Sequence, residues 1–149
     1  MFTAKLDRVA VVVRDIDQAM KDMKKMLGCE FYGPLDDPGP GLAIALPRRG
    51  GLELVSPTRP DDAIGATQLL ESKGEGITGI ALRVDDIEEA ERHFAELGLK
   101  PDVRINHGGM KEILFKAQEA THGIEIAINE YPEANGMGLE VARDLGVEV

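Results

Sequence analysis

The segment LDRVAVVVRDIDQAMKDMKKMLG at 6–28 can be laid over ITGIALRVDDIEEAERHFAELG at 77–98, so the chain carries one strand–helix unit twice. Val9 meets Ile80, Ala10 meets Ala81, Val13 meets Val84, Asp15 meets Asp86, Ile16 meets Ile87 and Ala19 meets Ala90. Dropping one residue near the helix end brings Leu27-Gly28 onto Leu97-Gly98. Both helix starts have capping-box form, Asp15-Ile-Asp-Gln18 and Asp86-Ile-Glu-Glu89, in which an acidic cap is followed three residues later by Gln or Glu. The helical period places Ile16, Ala19, Met20, Met23 and Leu27 on one face of the first helix, and Ile87, Ala90, Phe94 and Leu97 on the equivalent face of the second. The methionine spacing in the first helix reads as core filling.

Shorter strand signals follow each helix. In the first half they are 41–47 and 50–57, joined by a hairpin at Pro47–Gly51; in the second they are 111–117 and 123–131, joined near Glu119–His122. A further strand is expected in each half, near 29–33 and 101–105. The chain therefore divides into a first module at about 5–58, a linker helix at about 60–74, a second module at about 77–131 and a tail at 132–149. The linker helix is expected to begin at Pro60-Asp61 and to stop near Lys73-Gly74. The tail holds Asn135-Gly136 and a weak helical stretch, read as an appendage or an oligomer contact.

With 149 residues the two modules share one core in a single domain. No apolar run approaches the roughly 20 residues of a membrane helix, and the first residues lack a small-residue cleavage site, so no signal peptide is expected. The single cysteine, Cys29, excludes an internal disulfide and suits a reducing cytoplasm. A net charge of -10 argues against nucleic acid and anionic membranes as partners. A small molecule or a second copy of the chain fits better, with a homodimer as the expected assembly.

Strand alternation separates two faces. Assigned by bulk, Val9, Val11, Val13, Leu42, Ile44, Leu46, Leu52, Leu54, Ile113, Phe115, Ile124, Ile126 and Ile128 pack under the helices. The opposite face then carries Arg8, Ala10, Val12, Ala43, Ala45, Glu53, Val55, Gly79, Ala81, Arg83, Glu112, Leu114, Lys116, Glu125, Ala127 and Asn129. Small residues mixed with charges describe either a ligand cavity or a solvated sheet face.

The doubled unit, together with GGLELVSPTRPD and THGIEIAINEY, resembles the vicinal oxygen chelate superfamily of glyoxalases, extradiol dioxygenases and bleomycin-resistance proteins, with a pattern most similar to the methylmalonyl-CoA epimerases. The resemblance implies an α+β fold in which two βαβββ modules form a curved mixed sheet around a cavity, helices outside. It also implies a divalent metal held by one residue from each of four strands. Those positions fall here on Arg8, Glu53, Gly79 and Ala127, with Glu125 two residues before the last. An arginine is never a metal ligand, and Gly and Ala offer no donor, so no metal is expected at the family position. Arg8 is expected to pair with Glu53 instead.

Two classes of function follow. In the first, a metal-independent isomerase or lyase acts on a small carboxylate or acyl substrate. Glu53, Glu112 or Glu125 serves as base, and Arg8 or Arg83 holds a carboxylate or oxyanion. In the second, the protein is a non-catalytic binder of the bleomycin-resistance type, a reading that the 4% aromatic content does not favour for stacked ligands. Arg8, Glu53, Arg83, Gly79, Ala127 and His107 are the expected ligand contacts. His93 and His122 read as surface groups, Asp37 lies near a position used by the epimerases, and Arg48, Arg49 and Arg59 are candidate cations for a CoA ester.

Overall fold

The computed structural model describes residues 2–49, 51–133 and 136–148. Its elements follow in the order β1 (Lys5–Val12), α1 (Ile16–Leu27), β2 (Phe31–Asp37), β3 (Leu42–Pro47), β4 (Gly51–Pro57), α2 (Ala66–Ser72), β5 (Gly76–Arg83), α3 (Ile87–Glu96), β6 (Val103–His107), β7 (Met110–Phe115), β8 (Glu125–Glu130) and α4 (Met137–Asp144), with a short 3-10 turn at Glu119–Thr121. The strands form one curled, mixed, eight-stranded sheet in the order β2-β3-β4-β1-β5-β8-β7-β6. β1 and β5 pair antiparallel at its centre, and each is flanked by a parallel partner, β4 and β8. The repeat seen in the sequence is therefore the repeat of the sheet.

Both helix caps form as their sequences require. The Asp15 carboxylate accepts the Gln18 amide at 3.1 Å, and that of Asp86 accepts the amides of Glu88 and Glu89 at 3.0 and 3.1 Å. α1 buries Ile16 with Ala19, Met20 and Met23 against Leu54 and Ala45, while α3 packs Ile87, Ala90 and Phe94 on Phe115 and Ile128. Leu27 and Leu97 lie on the expected stripes but are 67% and 63% exposed, because the last turn of each helix runs past the packed surface. Ile124 is likewise exposed, ahead of the first paired residue of β8.

One strand faces the opposite way from the bulk assignment. Leu42, Ile44 and Leu46 belong to the cluster on the concave side, and Ala43 and Ala45 pack under α1. The β3–β4 register explains this, since Ile44 pairs with Val55 and Ala45 with Leu54, and directly paired residues share a face. Side-chain size did not reveal direction here, because the small residues accommodate a closely packed helix while the large ones fill the concavity.

The linker and tail also differ from expectation. α2 begins at Ala66 rather than Pro60, because the Asp62 carboxylate receives the amides of Ala66 and Thr67 at 2.7 and 3.0 Å and sets the start there. α4 is no appendage. Met137, Val141 and Ala142 are buried in the concave cluster with Leu35, Met110 and Leu114. A Cβ added at Gly138 would stand 2.6 Å from the Tyr32 ring and 3.2 Å from Leu46, so α4 sits at the closest approach this pair allows. Gly138→Val is expected to cost about 1–3 kcal/mol through overpacking, read as a lowered urea midpoint. Gly50 of the hairpin and Asn135 of the tail lie outside the described residues.

Candidate active site

Between the concave sheet face and α4 lies a cavity of about 60 Å³, room for roughly four to six waters at 10–15 Å³ each. Its walls are mainly apolar, from Leu42, Ile44, Val55, Leu114, Met137 and Val141, and its ionisable lining is Arg8, Asp37, Glu53, His107, Glu112 and Glu125. Alternation along β1, β4, β7 and β8 brings Arg8, Glu53, Glu112 and Glu125 together, and the ends of β2 and β6 add Asp37 and His107.

Arg8 is the hub. Its Nε donates to Glu53 Oε2 at 2.8 Å, Nη2 to Glu112 Oε1 at 3.1 Å, and Nη1 to Asn129 Oδ1 at 2.9 Å and Asp7 Oδ2 at 3.0 Å. Asn129, fully buried, returns a hydrogen bond from Nδ2 to Glu112 Oε1 at 2.7 Å. Burial works against the charged guanidinium, but attraction from Glu53, Glu112 and Asp7 outweighs it and raises the Arg8 pKa. Arg8 thus pairs with Glu53 as its residue type demands, yet spreads its donors over several partners instead of gripping one carboxylate with two bonds.

Glu112 is pushed above the usual carboxylate range, by burial first, then by repulsion from Glu53, with Arg8 and Asn129 pulling the other way. Glu125 is pushed up to about 7 by burial, with repulsion from Glu112 and Glu53 adding to it. Glu125 is 8% exposed, and among the described residues no hydrogen bond or ion pair reaches its carboxyl, although Lys116 attracts it and partly offsets the rise. A carboxyl in such surroundings is normally paired within the protein; this one borders the cavity instead.

At the other end of the cavity His107, the last residue of β6, is held between two carboxylates. Nε2 lies 2.7 Å from Asp37 Oδ2 and Nδ1 2.6 Å from Asp144 Oδ2. Burial disfavours its charge, but the hydrogen bonds to Asp37 and Asp144 prevail and its pKa rises. The bridge ties β2, β6 and α4 together, and Glu140 of α4 adds a bond from the Gly109 amide at 3.1 Å.

Other candidates fall elsewhere. Arg83 lies outside the cavity lining: its guanidinium stacks over the Tyr131 ring at 4.4 Å and donates to the Tyr131 carbonyl, at the end of β5. Arg48 stacks over Tyr32, and Arg59 donates to the carbonyls of Pro38 and Gly39, so neither lines the cavity. His93 packs on Phe2, and His122 caps the 3-10 turn. Ala127 and Gly79 do line it. A Cβ at Gly79 would meet the Glu125 carbonyl oxygen at 2.4 Å, so this position accepts no side chain without backbone movement. Gly79→Ala is expected to lower the thermal midpoint measurably and to perturb Glu125, and Gly79→His to do so more strongly.

Sequence reasoning passed over Asn129, Asp7, Asp144, Met137 and Val141. Alternation had placed Asn129 on the right face, but nothing local marks the others. Among the described residues, no group of three or more His, Cys, Asp or Glu side chains is arranged to hold a metal ion. No described helix is long and apolar enough to cross a membrane.

Comparison with known proteins agrees with this architecture. Methylmalonyl-CoA epimerase from Mycobacterium tuberculosis superposes with a TM-score of 0.75 at 20% identity, over 87% of this chain and 89% of that one. A variant of the Streptomyces coelicolor epimerase in complex with 2-nitronate-propionyl-CoA gives 0.76 at 19%, over 89% and 100%. A hypothetical protein from Bacillus halodurans C-125 gives 0.75 at 24%, over 88% and 96%. At these identities the likeness is one of fold. No curated protein matches the sequence. The family model described as Glyoxalase/Bleomycin resistance protein/Dioxygenase superfamily matches residues 7–115, most of the doubled sheet, and the chain belongs to that superfamily.

Proposed function

We propose that this protein is an isomerase of the epimerase type that moves a proton at a carbon next to a carbonyl, without a divalent metal, in a small acyl or carbonyl compound. The observation that carries this reading is Glu125, a buried carboxyl with no hydrogen bond or ion pair among the described residues, facing a cavity with mainly apolar walls and pushed up to about 7. A base of that pKa is half ionised near neutrality and is matched to accept and return a proton. Epimerisation requires that exchange, and the neighbouring folds named as epimerases are consistent with it.

Metal independence is supported by the donor set. Arg8 already uses the Glu53 and Glu112 oxygens it bonds as acceptors for its own N–H groups, and Gly79 and Ala127 bring no donor, so a metal ion lacks the several converging donors it needs. A second reading, a binding protein, is favoured by the same hub. Four donor contacts of Arg8 are already used inside the protein, which leaves it poorly placed to hold an enolate oxygen.

The test is deuterium uptake. Small carbonyl compounds and acyl thioesters incubated with the protein in D2O are followed by proton NMR for loss of the C–H signal. Exchange that survives EDTA, from protein with no stoichiometric metal, supports the proposal. Exchange that requires a metal, or tight ligand binding with no exchange, overturns it.

A further inference from the structure

We infer that the cavity selects a small ligand with a positively charged nitrogen on an apolar body, and disfavours a carboxylate. This rests on the reading of the cavity as the ligand site. Its ionisable lining comprises four acids, Asp37, Glu53, Glu112 and Glu125, against Arg8 and His107. Both cations are shared out before any ligand arrives. Arg8 is divided among Asp7, Glu53 and Glu112, and His107 sits between Asp37 and Asp144. Glu125 is 8% exposed and makes no hydrogen bond or ion pair through its carboxyl among the described residues; Lys116, outside the cavity lining, attracts it less than burial, Glu112 and Glu53 oppose its charge.

An anionic ligand would therefore meet carboxylates on several sides and have to break an existing ion pair to find a cation. A cation would enter a negative field and supply what Glu125 lacks, an N–H donor. Repulsion by Glu112 and Glu53 contributes to the rise in the Glu125 pKa, and the same field attracts a positive ligand. The apolar walls fit the remainder of such a molecule, and the dimensions of the space restrict it to a small one. A bare divalent ion is a poorer match, because it needs several converging donors and Arg8 lies among them.

The probes are isobutylammonium, isobutanol and isobutyrate, similar in shape and different in charge, titrated at pH 8 into nitrogen-15-labelled protein and followed by NMR shifts. Isobutylammonium is expected to bind at least tenfold more tightly than isobutanol, with isobutyrate weakest. Glu125→Gln should remove at least tenfold of the ammonium affinity and leave the alcohol within twofold. Glu125→Asp, which keeps the charge, should retain the preference. The spectrum of each variant reports its folding. Isobutyrate binding as tightly as the ammonium, an ammonium affinity unchanged in Glu125→Gln, or no saturable shift with any probe overturns the inference. Proton exchange on carboxylate substrates without ammonium preference sinks this inference and spares the proton-transfer reading. Ammonium preference without C–H exchange does the reverse.

Discussion

Arg8→Met lowers the unfolding free energy by about 3–5 kcal/mol at pH 7.5, the cost of leaving buried charges without their partner. The methionine fills much of the arginine's volume, so lost packing is the smaller part of the effect. What remains are Glu53, Glu112 and Glu125 around one cavity, with Asn129 as a single hydrogen-bond donor to Glu112. Urea denaturation at pH 7.5 and pH 5 measures this. The deficit should shrink at the lower pH, where protonation removes the repulsion. Adding Glu53→Gln and Glu112→Gln to Arg8→Met should recover a large part of the loss at pH 7.5. A single variant as stable as wild type would mean that water, not Arg8, solvates these carboxylates.

Glu125→Gln is expected to lower proton exchange by 10²–10⁴-fold, the range typical of a lost general base. It should also change how stability depends on pH. The folded-state pKa of Glu125 is raised from 4.5 to about 7, so between those values the native state holds a proton that the unfolded chain has released. Stability from this group is present in full below 4.5 and is lost as pH rises through 7, a change on the order of 3 kcal/mol. Wild type should therefore weaken relative to Glu125→Gln between pH 4.5 and 8, while groups common to both proteins largely cancel. The activity of wild type should rise over the same interval as the base ionises. A constant stability difference across that range would show that Glu125 is not held in its unpaired, desolvated state.

The sequence made some of this legible for physical reasons. Two Asp caps and two helical apolar stripes mark the repeat locally, and alternation sets Arg8 opposite Val9 and Val11 and Glu53 opposite Leu52 and Leu54, so that the register pairing Ala10 with Glu53 brings both charges to one face. The direction of β3 was not legible, because Leu42 and Ala43 differ in size while the decision belongs to pairing with Pro57 and Ser56 on another strand. His107 lies just past the strand expected near 101–105, and nothing local announces its two carboxylate partners, which are 70 and 37 residues away. α4 gave a weak signal because its apolar face is short, and it becomes a wall of the cavity only through contact with β2, β3, β6 and β7.

The Arg8 hub also bears on the order in which the chain folds. Its partners Glu53, Glu112 and Asn129 lie 45, 104 and 121 residues away, on both sides of the β1–β5 seam. Closing such distant loops is slow, and the central sheet is made of the same long-range pairings. A fragment containing the first module alone would bury its arginine against Glu53 without the other two partners. The halves look alike in sequence, but each is electrostatically unfinished, so separately produced halves should fold poorly alone and recover a compact state when mixed.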